Sequence, residues 1–308
     1  MSSSFLSPNA VKTALDTVLF PKFNTAQIPQ IAYADTASIF NQDSADSGAV
    51  VTEIFKGTGG WEEKAEEADI NGGSFKTGNT KTFTVAEFAR SLDIPRTFAA
   101  DAKFSLVNKA VSDMGMRGRT TRDKQAMGLY RGGFTVTKTN DGQFLFDDAH
   151  ALMSLGTVDN KTTAVLTETS LYDGTVALSE QKAQDGEIAG NVPAVLLVSP
   201  KLFKLAVEIT KSSLRSGTAN NDMNILYSDL YNIEVRQSNF LGAAAGGSDT
   251  AWYLLADTHA INRYKREELW TEAVDWKNQR NNNYIYKGGY REVCGALDYV
   301  GAYGSTGA

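Results

Sequence analysis

Residues 191–213, NVPAVLLVSPKLFKLAVEITKSS, constrain this chain more than any other stretch. The short Val- and Leu-rich run over 192–198 predicts a strand covered on both faces. Ser199 is placed to accept a helix N-terminal N–H, and Pro200 suits the first helical position. Leu202, Leu205, Ala206 and Ile209 then recur at i, i+3, i+4 and i+7, which makes one apolar helix face. The segment is a strand, a capped turn and an amphipathic helix, and it holds no catalytic residue.

Around this unit the pattern alternates between strands and helices. Residues 1–46 read as extended, Ser-rich and Pro-punctuated, with one short helical stretch over 10–19 followed by Pro21 and Pro29. Strand-like pieces at 50–55 and 81–87 flank a polar segment, 57–79, that carries six glycines. A run of that length with little hydrophobic periodicity suits an interaction arm. Trp61 in so polar a setting implies that something outside the subunit covers it. Over 96–130, Ala102, Leu106, Ala110 and Met114 recur every four residues beside Val107 and Val111, predicting a long helix loosened at Gly115 and Gly118. Arg117, Arg119 and Arg122 cluster there with Asp113 and Asp123. Such a cluster reads either as a solvated face with i,i+4 pairs or as an intersubunit salt-bridge patch.

Residues 131–148 predict a strand pair turning at Asn140-Asp141-Gly142. A helix is expected over 169–182, with Leu171, Thr175 and Leu178 on one face. Strands are expected at 233–237 and 251–255, joined by a loop at 241–250. Residues 265–276 are mixed, whereas 284–287 and 291–303 have alternating, strand-like character. No internal repeat is visible.

The search for chemistry is mostly negative. At 308 residues and 42% hydrophobic, the chain can bury a sizeable core. A net charge of −6 argues against gripping nucleic acid, which needs clustered Lys and Arg. Cys294 is the sole cysteine, so no intrachain disulfide forms, and it reads as a small core residue. No secretory leader is legible, and no apolar run approaches the ~18 residues of a membrane span. Asp147, Asp148 and His150 read as a polar turn rather than a metal site, because no matching ligand set appears elsewhere. His259 lies far from them in sequence. The stretch 73–80 places Asn79 where a phosphate loop needs Lys. The 131–134 Arg-Gly-Gly-Phe reads as a turn, and no Gly-x-Ser-x-Gly elbow is present. The balance favours a structural or self-associating protein over an enzyme or ligand-binding α/β protein.

Four stretches, in order, then carry a resemblance. They are FTVAEFARSLDIPRTFAAD (83–101), FLFDDAHALMSLGTVDN (144–160), the region 178–213 with its LLVSPKL core, and NNNYIYKGGYREVCGALDYVGAY (281–303). Together they resemble the major capsid proteins of tailed bacteriophages, with Mu-type head subunits the nearest over the middle of the chain. The resemblance implies an α+β chain of the Hong Kong 97 capsid fold. Its parts would be an N-arm (1–46), an E-loop reaching over a neighbour (47–87), a P-domain with the long spine helix (88–142), an A-domain (143–263), P-domain return strands (264–293), and a last A-domain strand and tail (294–308). It implies no enzyme activity, cofactor or metal. The implied partner is the chain itself, in hexamers and pentamers that form an icosahedral shell around double-stranded DNA. A separate scaffolding protein, a portal and, as an option, a decoration protein would complete the set, with no membrane. Assembly would occur in the host cytoplasm and the product would be the virion.

The resemblance assigns intersubunit roles to Trp61, Glu62, Glu63, Lys64, Lys76, Arg117, Arg119 and Arg122. Some members of the family cross-link covalently through a Lys, an Asn and an assisting Glu. The corresponding lysines here are Lys56, Lys64, Lys76 and Lys81, and the asparagines are Asn281, Asn282 and Asn283. The Glu would fall at 287–290, where no carboxylate stands, and Glu292 is out of step, so no cross-link is expected. A nanocompartment shell of cellular origin is the nearest alternative.

Overall fold

The computed structural model describes residues 34, 36–55, 61, 63–67, 69–70, 77–95, 97, 104–152, 156–213, 223–227, 231–274 and 283–308. Along the chain lie β1 (Asn41–Ser44), β2 (Ala49–Phe55), β3 (Thr77–Thr84), β4 (Ala86–Pro95) and helix α1 (Phe104–Arg131). Three two-residue strands follow, β5 (His150–Ala151), β6 (Thr157–Val158) and β7 (Lys161–Thr162). Next come α2 (Glu168–Ser179), β8 (Pro193–Val198), α3 (Pro200–Lys211) and β9 (Glu234–Gln237). The last four strands are β10 (Trp252–Ala256), β11 (Ile261–Val274), β12 (Asn283–Ala296) and β13 (Ala302–Ser305).

Two sheets organise these elements. One runs β7-β13-β10-β8-β9, with β8 paired on both sides, to β10 and to β9. Because side chains alternate across a strand, Leu196 and Val198 of β8 and Trp252 and Leu254 of β10 face one side. They pack there with Leu171 and Leu178 of α2 and Ala206 of α3. Val195, Leu197, Tyr253 and Leu255 face the other side and meet Ala126, Met127 and Tyr130 from the end of α1. A strand hidden on both faces has no room for polar side chains, which is why this run is so uniformly apolar.

The other sheet runs β1-β11-β12-β4. The first half of α1 covers it, placing Val107, Val111 and Met114 on Ile94, Ala273, Tyr284 and Tyr286. The spacing of 107, 111 and 114 is one helix face. One 28-residue helix thus serves both cores. It is unbroken at Gly115 and Gly118, against the expected loosening, because packing on both sheets outweighs the ~1 kcal/mol intrinsic cost of each glycine.

Four other expectations need correction. Ser199 is the N-cap residue of α3 but makes no capping hydrogen bond. Its buried hydroxyl instead donates to the Asp249 carbonyl at 2.9 Å. Leu205 is 38% exposed, and Thr210 rather than a leucine completes the buried face of α3. The strand pair at 131–148 reduces to a single bridge between Lys138 and Phe144, although the turn at Gly142 (φ 87°) forms as read. Residues 265–276 are not mixed: they lie largely within the 14-residue β11, and β12 runs unbroken through Gly288 and Gly289.

Candidate intersubunit surface

The β2–β3 hairpin projects from a fixed root. Phe83 and Val85 bury with Ala45 and Tyr264, and the Phe83 and Tyr264 rings lie 5.5 Å apart. Gly295 makes room for that ring, since a Cβ there would stand 2.1 Å from Phe83 Cε1. The Lys81 ammonium donates to the carbonyls of Lys138 and, at 3.1 Å, Ala296. Burial lowers its pKa, and the Asp141 carboxylate works the other way. Lys81 is therefore spent on anchoring the hairpin.

Beyond the root the side chains turn outward. Trp61 is 103% exposed and Ile70 83%. Glu63, Lys64, Glu66, Glu67 and Asp69 are exposed as well, with a turn at 66–67. Glu62, Lys56, Lys76, Asn281 and Asn282 lie outside the described residues. Asn283 sits in β12, paired across the sheet with Pro95.

The three arginines of α1 do not form one patch. Arg117 is exposed and pairs with Asp113 at 3.4 Å, an i,i+4 pair worth only a few tenths of a kcal/mol. Arg119 is half-buried. Arg122 turns inward and is only 7% exposed. Its Nε lies 3.2 Å from Glu292 Oε2, and its guanidinium sits 5.2 Å from the Tyr290 ring centre. Glu292 also accepts from Arg263 Nε at 3.0 Å. The sequence could not separate these arginines, because the helix face that buries Arg122 does so through a carboxylate 170 positions further on.

This buried network also holds the start of the described chain. Arg263 Nη1 donates to the Ala34 carbonyl at 3.3 Å and to Gln42 Oε1 at 3.0 Å. Asp123 accepts from the Ala34 amide at 2.8 Å, and the Tyr130 hydroxyl donates to the Ile39 carbonyl at 2.7 Å. His259 adds a further tie. Its Nδ1 accepts from the Ile261 amide at 3.3 Å, which leaves Nε2 as the donor to the Ser38 carbonyl, also at 3.3 Å. Burial holds this imidazole below its ordinary pKa, against the smaller upward pull of the Ser38 carbonyl and of Asp257.

The folded subunit thus keeps His259 neutral where the unfolded chain, titrating near ~6.5, takes up a proton. Stability present above that pH is lost as the pH falls below it. The melting temperature of the unassembled subunit is expected to drop between pH 7 and pH 5. His259→Gln should flatten part of that drop, and an unchanged pH slope in the variant would refute the assignment.

His150 and Asp141 form a separate in-chain tie, with Nδ1 and Oδ2 2.6 Å apart and the imidazole stacked 4.3 Å from Tyr299. Burial pushes the Asp141 carboxyl up, but hydrogen bonds from His150 and Thr139 outweigh it and hold it below its usual range. Among the described residues no group of three or more His, Cys, Asp or Glu side chains is placed to hold a metal ion. Burial and the nearby Glu292 push the Cys294 thiol up to about 12, which disfavours the reactive thiolate.

A groove of about 340 Å³, absent from any sequence signal, lies between α1, β4, β11 and β12. Its floor includes Met114, Gly118, Leu269, Gly288 and Gly289, and Phe88 and Tyr290 stack beside it at 5.1 Å. The two β12 glycines are required by close approach: a Cβ on Gly288 would meet the Trp270 carbonyl oxygen at 2.9 Å, and one on Gly289 the Phe88 carbonyl oxygen at 2.9 Å. Arg90 and Arg117 flank the groove, with Glu87 the one carboxylate.

The family model described as phage capsid protein matches residues 78–305. The chain belongs to the phage capsid protein family. The match covers α1, the five-stranded sheet, strands β4, β11 and β12 of the other sheet, and the groove. No curated protein matches the chain in sequence. Among solved structures it is similar to the mature capsid of bacteriophage PhiM1, at 12% identity and a TM-score of 0.60, covering 91% of this chain and 88% of that one. The capsid of Myoviridae phage XM1 matches at 12% identity and a TM-score of 0.55, covering 92% and 94%. A phage-related protein from Bordetella bronchiseptica RB50 matches at 11% identity and a TM-score of 0.55, covering 94% and 96%. At these identities the likeness is one of fold, and the phage capsid chain has the α+β Hong Kong 97 architecture.

Proposed function

We propose that this chain is the major capsid protein of a tailed bacteriophage, a structural subunit that joins into hexamers and pentamers and closes an icosahedral shell around packaged double-stranded DNA. The observation that carries this reading is the capsid-family match over 78–305. The exposed side chains of Trp61 and Ile70 and the long helix packed on both sheets support it. Residues 1–46 serve as the N-arm, 47–87 as the E-loop, 88–142 and 264–293 as the P-domain, and 143–263 with 294–308 as the A-domain. Strands β11 and β12 run on through the boundaries at 263 and 293, so the two domains share them.

The work is assembly. Each copy makes several modest contacts, and a closed symmetric shell adds them. Non-covalent contacts suffice in this reading, since Lys81 is tied to carbonyls and Glu292 to two arginines. The negative net charge of −6 keeps the wall from trapping DNA during packaging. A separate scaffolding protein, a portal and a decoration protein are the further partners expected, with assembly in the host cytoplasm and the finished shell in the virion. Negative-stain electron microscopy with light scattering on the purified chain tests this, alone and with an adjacent scaffold gene. Closed shells, tubes or rings of five or six are expected; a uniform monomer under every condition would refute it.

A further inference from the structure

Helix α1 carries a charge opposite to that of the chain around it. It holds Lys109, Arg117, Arg119, Arg122, Lys124 and Arg131 against Asp113 and Asp123, a net of +4 in a chain of −6. The residues outside it therefore total −10. Not all of this charge faces solvent. Arg122 and Asp123 are buried, Arg119 is half-buried, and Arg131 donates to the Ala245 carbonyl. Lys109, Arg117 and Lys124 are exposed.

These three cations form one line. At about 100° per residue they fall within ~80° of one another around the helix, and at ~1.5 Å per residue they span about 22 Å of its axis. Lys109 and Lys124 make no ion pair among the described residues, and Arg117 has only its exposed pairing with Asp113. The other exposed residues of the line are Asp113 and Thr121. Leu106 lies before its start, and no large apolar side chain is exposed within it. A protein interface of any strength needs an apolar or aromatic anchor at its centre. A line of phosphates needs only cations and water.

We propose that this stripe of α1 is the contact between the shell wall and the phosphate backbone of the packaged duplex. The proposal rests on the shell reading above and names the face that such a shell turns to its DNA. A duplex carries one negative charge per ~1.7 Å of its axis, so phosphates stand opposite the stripe at any sequence and any register. Three cations per copy hold loosely, and salt strips them off. The −10 on the rest of the chain repels the duplex everywhere else. DNA can therefore slide along the wall while it is being packed and still be met by every copy once packing ends.

Formaldehyde cross-linking of DNA-filled particles, followed by nuclease, protease and mass spectrometry, tests the contact. Nucleotide adducts are expected on Lys109 and Lys124 at least tenfold above those on Lys182, Lys201 and Lys204, which are exposed as well. Equal adducts on all five, or none on α1, would overturn the proposal. Intact shells are also treated with an amine reagent on a carrier too large to enter them. Lys109 and Lys124 should stay unlabelled; their labelling would put α1 outside, overturn the DNA contact and leave the shell reading standing. Lys109→Gln with Lys124→Gln removes two cations and should leave the melting temperature of the subunit unchanged. Anisotropy of a short duplex with the unassembled subunit at low salt should give a slope of log affinity on log salt of about −2.7 for the parent and about −0.9 for the variant. No binding by the parent, or the same slope for both, would overturn the proposal. If the unaltered chain forms no closed particle under any condition, the shell reading falls and takes the DNA contact with it.

Discussion

Glu292→Ala is expected to cost the subunit about 3–5 kcal/mol, the range for removing one partner of a buried ion pair. Glu292 is 4% exposed, and the two guanidiniums it neutralises, on Arg122 and Arg263, are buried with it. Without the carboxylate both cations stay in a low-dielectric site with part of their charge uncompensated. A loss of this size is a large share of a typical domain's net stability. The damage should also spread, because Arg263 holds Ala34 and Gln42. Urea unfolding of the unassembled subunit measures it. Glu292→Gln keeps an acceptor but no charge and should fall between the two. A shift below about 0.5 kcal/mol for the alanine variant would mean that the network is not what holds β11, β12 and α1 together.

Trp61→Ala should have the opposite profile. A side chain that is fully exposed loses no burial on truncation, so the melting temperature should stay within error of the parent. Assembly should fail nonetheless. An aromatic anchor at an interface is worth about 2 kcal/mol or more, which weakens one contact roughly 30-fold. A shell repeats that contact in every copy, so a modest loss per joint becomes loss of the particle. Light scattering and electron microscopy of the variant give the answer, and particles of normal yield and shape would sink the anchor role of Trp61.

How much of this was legible beforehand depended on how local the cause was. The strand over 192–198 and the helix after it were readable because burial on both faces and a 3.6-residue period leave direct marks in sequence. The same holds for Leu171, Thr175 and Leu178, which α2 buries as expected. The polar character of 57–79 is plain from its composition, and the described residues between Trp61 and Ile70 are exposed. What escaped depended on distant partners. Strand β11 read as mixed because its register shifts twice, between Lys265 and Glu267 and again before Trp270, so its alternation slips. Gly288 and Gly289 looked like a break in β12, yet they mark where Trp270 and Phe88 come close. Ser199 has the right residue type for a cap, but the Asp249 carbonyl claims its hydroxyl. The groove left no trace, since it is a void made by residues from four elements.

The strand order has a consequence for how the subunit is made. Strand β13 lies between β7 and β10, and β1 pairs with β11 across 221 positions of chain. A ribosome adds about 5–20 residues per second, so roughly 15–60 s separate the first residue of this chain from its last. Through most of that time neither sheet can close: β10 waits for residues 302–305, and β1 has nothing to lie against. A nascent copy therefore cannot enlist in a growing shell, and its open strand edges are the places where crowded, half-made chains would stick to one another.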